Sequence, residues 1–235
     1  MIGLDLFSGI GGISYALKNY VTPCAYCEID PYCAAVLASR MHTGELSTAP
    51  IFPDVTRLRA EILPRGIEII YGGFPCQDLS LAGRRAGLEG KRSGLFFEVV
   101  RLAAELSPRF VFLENVLGIR KHVPAIRAEF EKLGFSCRDG FLSAKDVGAA
   151  HLRERWFFLA YAMRLGLSRS VSIPSSQQKM GGTTTKCSEW VAEPNVVRVV
   201  HGVPHRVDAI RGLGNSVVPQ CAKKAFEILM GLYDS

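Results

Sequence analysis

No apolar run in this 235-residue chain approaches the roughly 20 residues that cross a bilayer, so a 48% hydrophobic composition reports a large core. No basic, apolar leader precedes the first strand-like run, Met1-Ile2-Gly3-Leu4-Asp5. The seven cysteines are odd in number and irregularly spaced, which excludes a regular disulfide framework and predicts a reduced, cytoplasmic setting. Cys24 and Cys27 have no second C-x-x-C to complete a zinc site, and on a strand they face opposite sides. Cys33 and His42 do not repair that pattern, so no metal is expected. There is no internal repeat. Acidic residues are in the minority, 22 against 28 Lys+Arg, and the net charge of +6 suits a polyanionic partner.

What is present is a series of apolar runs that end in chemistry. Ile67-Glu68-Ile69-Ile70-Tyr71 reads as a buried strand broken by Gly72-Gly73, and the turn Phe74-Pro75-Cys76-Gln77-Asp78-Leu79-Ser80 raises one thiol at the strand's carboxyl end. In open α/β sheets ligands bind at that edge. Burial of Cys76 in the core is the plain alternative, since cysteine is among the most buried residue types.

The same pattern recurs along the chain. Met1 to Phe7 is a strand, and Ser8-Gly9-Ile10-Gly11-Gly12 turns into a helix over Ile13 to Asn19, so backbone N–H groups can approach a ligand at the helix start. Val21 to Ile29 is a second strand whose Glu28 lies about twenty residues after the glycines, the spacing at which a carboxylate meets ribose hydroxyls. Asp30 caps a helix that Pro31 begins. Asp54 is a further acidic strand end. Leu81 to Gly94 carries Arg84, Arg85, Lys91 and Arg92 among glycines, as a lid contacting phosphates would. A helix over Leu95 to Leu106 and a strand Phe110 to Leu113 lead to Glu114-Asn115-Val116. Arg153 and Arg155 alternate at period two before a strand Trp156 to Tyr161, so both guanidinium groups can point one way. From Met163 to Val200 the composition turns to Ser, Thr, Gln, Gly and Lys, and a final helix ends near Leu232.

Five segments together, Asp5-Leu-Phe-Ser-Gly-Ile-Gly-Gly12, Gly73-Phe-Pro-Cys-Gln77, Glu114-Asn-Val116, Arg153-Glu-Arg155 and Gly214-Asn-Ser-Val-Val218, resemble the C5-cytosine DNA methyltransferases, in that family's order. The resemblance implies a Rossmann-like α/β fold with a doubly wound, mostly parallel sheet. It divides the chain into a catalytic and cofactor-binding core, 1–162, a short target-recognition insert, 163–200, and a C-terminal segment returning to the core, 201–235. By resemblance Cys76 adds to C6 of a flipped cytosine, Glu114 holds the ring protonated at N3, Arg155 meets O2 and Arg153 supports the site. S-adenosylmethionine would take its adenine ring against Phe7, its ribose hydroxyls on Glu28 and its adenine amine on Asp54. Gly9, Gly11, Ile29, Val55, Leu95, Asn215 and Val217 would line the rest. Ser80, Arg84 and Arg92 would contact DNA phosphates.

The implied partners are double-stranded DNA and a cognate restriction endonuclease, with the chain a monomer in a bacterial or phage-infected cell. The insert is short, as in the compact phage and prophage type. His151 stands where the family has glutamine, and Ala149-Ala150 where it has an apolar-proline pair, so the support of Arg153 is expected to differ. Three rivals remain open: a cytosine-5 tRNA methyltransferase, an amino-methylating enzyme for which Asp30-Pro31-Tyr32 lacks the second proline, and a catalytically inactive DNA-binding regulator.

Overall fold

The computed structural model describes residues 1–75, 94–163, 212 and 216–232. The described strands form one seven-stranded sheet in the order β3-β2-β1-β4-β5-β7-β6. Five of them are parallel: β1 (Ile2–Leu6), β2 (Thr22–Cys27), β3 (Ile51–Phe52), β4 (Ile69–Gly73) and β5 (Phe110–Val116). β7 (Glu154–Ala162) runs antiparallel between β5 and β6 (Phe135–Ser143). The architecture is the α/β, mostly parallel sheet expected, with a reversed strand pair added at one side.

Side chains alternate between two buried layers, which is why the strands read as nearly continuous apolar runs. Ile70, Val111, Leu113, Trp156 and Phe158 face one layer, covered by α3 (Gly94–Leu106) and α4 (Val123–Lys132) through Phe96, Val99, Leu102, Ile126 and Phe130. Ile69, Tyr71, Phe112, Phe157 and Leu159 face the other. That layer is closed by α1 (Gly12–Leu17) and α5 (Pro219–Met230), which bring Ile13, Leu17, Ala222, Phe226 and Leu229. Phe112 stacks on Phe157 at 6.0 Å and meets Phe226 edge-on at 5.2 Å. α2 (Pro31–His42) starts as expected, with the Asp30 side chain accepting from the N–H groups of Tyr32 and Cys33.

Three boundaries differ from the sequence expectation in ways that matter. Gly72 and Gly73 belong to β4 and do not break it, because close approach of backbone, not a turn, demands glycine there. A Cβ on Gly72 would lie 1.9 Å from the Leu6 carbonyl oxygen. β5 continues through Glu114, Asn115 and Val116, which pair with Phe157, Trp156 and Arg155 of β7. β7 begins at Glu154, so Arg155 lies inside the strand and Arg153 just outside it.

The last segment docks on the first helix. A Cβ on Gly12 would sit 3.0 Å from Ser216 Oγ and 3.2 Å from Val217 Cγ1, so glycine at the start of α1 is what admits Ser216 and Val217. No helix among the described residues is long and apolar enough to cross a membrane.

Candidate active site

Strand register gathers the predicted residues along one edge of the sheet. Leu6 pairs with Cys27 on one side and Gly72 on the other, so the Phe7–Gly11 turn, Glu28 and the segment after Gly73 leave the sheet side by side. Gly73 pairs with Glu114, and Val116 with Arg155, which extends the row to β7.

The first half of the row has the makings of a nucleoside site. Phe7 adopts a φ of 54°, a left-handed conformation that costs a non-glycine residue roughly 1–3 kcal/mol, and Gly9 and Gly11 follow at 54° and 82°. A side chain at Gly9 would meet nothing within 4 Å, so the turn is open on its outer side. Glu28 clamps this turn: its Oε2 accepts from Gly9 N at 2.6 Å and its Oε1 from Asp30 N at 2.8 Å. Arg40 Nη1 donates to the Ile10 carbonyl at 2.6 Å from behind. Ile29 projects beside Glu28 with 76% of its surface exposed, an apolar face at the mouth of a polar turn. Asp54 Oδ1 accepts from Thr56 N and Thr56 Oγ1 at 2.9 and 2.7 Å, and these bonds hold its carboxyl below the usual range. Carboxylates for hydroxyl and amine donors, N–H groups and an exposed apolar surface fit S-adenosylmethionine by donor set.

Val55 and Val217 have buried side chains in opposite core layers, so only their backbones reach this edge. Leu95, on α3, and Phe7 pack half-buried on the first layer. Asn215 lies outside the described residues. No cluster of His, Cys, Asp and Glu among the described residues has the arrangement of a metal site.

The second half holds Glu114, Arg153 and Arg155 of the expected catalytic set. Cys76 itself, with Ser80, Arg84 and Arg92, lies outside the described residues, and the strand end leading to it is described as far as Pro75. Glu114 is 7% exposed, with Oε1 2.9 Å from Arg155 Nε. Burial pushes its carboxyl up to about 7 despite the opposing charges of Arg155 and Arg153. Gly73 makes the space, since a Cβ there would lie 2.7 Å from Glu114 Oε2. The period-two spacing of Arg153 and Arg155 lets both guanidinium groups point one way. Both charges act on Glu114: Arg155 pairs with it directly, and Arg153 Nη2 also donates to the Ser216 carbonyl at 2.6 Å and so ties the returning C-terminal segment to the same edge.

Two positions escaped the sequence reading. Asn115 Nδ2 donates to the Phe74 carbonyl at 2.9 Å while Oδ1 accepts from Val116 N at 2.8 Å, so this buried amide fixes the backbone two residues before Cys76. The available signal was an amide on a buried strand, which must find partners. Asp5, 1% exposed, accepts from Ser14 Oγ at 2.5 Å, and Ser14 Oγ contacts Tyr71 OH at 2.7 Å. Burial raises the Asp5 carboxyl to about 7, and the network pins α1 behind the glycine turn.

Residues 1–194 match the family model for C-5 cytosine-specific DNA methylases. The chain belongs to this family. As a C-5 cytosine-specific DNA methylase by family, it is 39% identical over 159 residues to the Type II methyltransferase M.CviJI of a Paramecium bursaria Chlorella virus, covering 67% of this chain and 42% of that protein. It is 31% identical over 170 residues to the Type II methyltransferase M.HhaI of Haemophilus parahaemolyticus, covering 70% and 50%. Among solved structures, a DNA modification methyltransferase encoded within an E. coli prophage aligns with a TM-score of 0.58 at 29% identity, covering 72% of this chain and 48% of that one. The Spodoptera frugiperda DNMT2 shares the fold, with a TM-score of 0.58 at 19% identity over 73% and 54%. This methylase chain spans about half the length of the curated relatives it matches.

Proposed function

We propose that the chain is an S-adenosylmethionine-dependent DNA (cytosine-5-)-methyltransferase with Cys76 as nucleophile. The observation that carries the reading is Glu114: a buried carboxyl that burial raises to about 7, so that it exchanges a proton near neutrality, with Arg155 Nε 2.9 Å from its Oε1. It stands one strand over from the segment that leads into Cys76.

C5 of cytosine is a weak carbon nucleophile. A thiolate's electron pair forms the S–C6 bond, and the C5=C6 π pair moves to C4=C5 as N3 takes up a proton, which leaves an enamine nucleophilic at C5. Glu114 supplies and holds that proton, and Arg155 lies against O2. Bound S-adenosylmethionine supplies an electrophilic methyl group, held by Phe7, Glu28, Ile29 and Asp54 with Gly9, Gly11, Leu95 and Asn215. Loss of the C5 hydrogen to a base returns the electron pair and expels the Cys76 thiolate. The cytosine must be turned out of the duplex to reach this edge. Ser80, Arg84 and Arg92 serve as phosphate contacts, and residues 163–200 as the segment that selects sequence. Core 1–162 and the returning segment 201–235 are the remaining parts of that division. We place the protein in the cytoplasm of a bacterial or phage-infected cell, as a monomer, with a cognate restriction endonuclease as its functional partner.

The test uses duplex DNA with 5-fluorocytosine at the target. Fluorine at C5 blocks elimination, so after methyl transfer the protein stays bonded through Cys76 and runs as an adduct on a denaturing gel. Cys76→Ser abolishes adduct and methylation, and Glu114→Gln slows adduct formation by about 10²–10⁴-fold. An adduct that maps to another cysteine, or no adduct while ordinary DNA is still methylated, overturns the assignment.

A further inference from the structure

We propose that Arg101, on α3, is a positioning residue that sets the selectivity of the cofactor site for a purine bearing an exocyclic amine. The inference rests on the reading of Asp54 as the amine acceptor.

Residues 54–58 form a short turn after β3, with Arg57 N bonded to the Asp54 carbonyl at 3.2 Å and Leu58 N to the Val55 carbonyl at 3.3 Å. Asp54 begins it, and Thr56 occupies Asp54 Oδ1 through both its N–H and its hydroxyl. Oδ2 is left with one loose contact, 3.6 Å to Arg57 Nε, from a side chain that is itself 88% exposed. An ionised oxygen of this kind accepts readily from an amine and repels a carbonyl oxygen.

Within the turn, Arg59 Nη1 donates to the carbonyls of Thr56 at 2.8 Å and Leu58 at 3.3 Å. Arg101 adds a tie from the turn to α3. Its Nη2 donates to the carbonyls of Leu58 at 2.9 Å and Val55 at 3.2 Å, which anchors the end of the turn to the helix. The guanidinium is itself held on both sides, by Glu98 at 2.7 Å and Glu105 at 2.8 Å, and only 28% of the side chain is exposed. The planar fork matters: a lysine can keep the charge but cannot span two carbonyls and two carboxylates at once.

The experiment measures binding alone, by calorimetry, of S-adenosylhomocysteine and its deaminated counterpart S-inosylhomocysteine, in which a carbonyl replaces the amine. The wild-type chain should bind the adenosyl compound more tightly. Arg101→Gln should weaken adenosyl binding about ten- to a hundredfold, as loss of a hydrogen bond to a charged group does, and weaken inosyl binding far less. The discrimination ratio therefore collapses. Arg101→Lys, which keeps the charge and the helix, should lie between the two and secures the test if the glutamine variant folds poorly. Equal weakening of both compounds would mark Arg101 as structural only and overturn the proposal, as would an unchanged ratio. A wild-type chain that binds neither compound overturns the cofactor reading, and the Arg101 inference with it.

Discussion

Glu114 holds a proton that an exposed carboxyl would have surrendered. Its ordinary pKa is 4.5 and its folded value about 7, with burial as the largest cause. A folded pKa above the unfolded one means that the folded state binds the proton more tightly. The associated stability is complete below about pH 4.5 and is lost as pH rises through 7, by at most about 3 kcal/mol. Glu114→Gln, neutral at every pH, should therefore equal the wild type in urea unfolding near pH 4 and exceed it by about 1–3 kcal/mol at pH 8, although the variant is catalytically impaired. Equal stability at both values would contradict the burial argument. At this scale the positions of Glu114, Arg155, Glu28 and Asp54 along one sheet edge were legible, because each stands in a recognisable segment beside an apolar run. Asn115 and Arg101 were not, because their roles lie in bonds to carbonyls at Phe74, Val55 and Leu58, which any residue could supply and no local pattern announces.

Strands and helices were legible where a run or a cap marked them. The continuous apolar runs of β4, β5 and β7 gave their positions, and Asp30 with Pro31 gave the start of α2. Strand direction was not legible, since the antiparallel course of β7 is decided by its neighbours β5 and β6 and leaves no mark on its own pattern. The glycines of β4 were read as a turn because their cause is the facing strand. That cause makes a sharp prediction. Gly72→Ala would force a Cβ to 1.9 Å from the Leu6 carbonyl oxygen, and the two strands can part only by breaking the pairing of β1 with β4. The loss should exceed the roughly 1–3 kcal/mol of ordinary overpacking. A thermal melt unchanged from wild type would show that the sheet gives way there more easily than the register implies.

Across the whole molecule, the two core layers are closed in different ways. α3 and α4 lie in sequence beside the strands they cover, whereas the other layer waits for α5, which follows residues 163–200 in the chain. Phe226 is its anchor, fully buried, with its ring 5.2 Å from Phe112 and 5.5 Å from Tyr20. Phe226→Ala should cost about 3–5 kcal/mol in urea unfolding, and a cost below 1 kcal/mol would mean that α5 is a passive cover. The Tyr20 hydroxyl bonded to Glu227 and the Arg138 guanidinium bonded to the Leu229 carbonyl hold the same helix from either side. This arrangement has a temporal side. A ribosome makes a chain in the N-to-C direction at roughly 5–20 residues per second, so the aromatic face of Tyr71, Phe112 and Phe157 leaves the exit tunnel several seconds before α5. For that interval the nascent protein presents a greasy, half-dressed sheet to the cell. Its yield in vivo should depend on whatever chaperone is standing at the tunnel mouth.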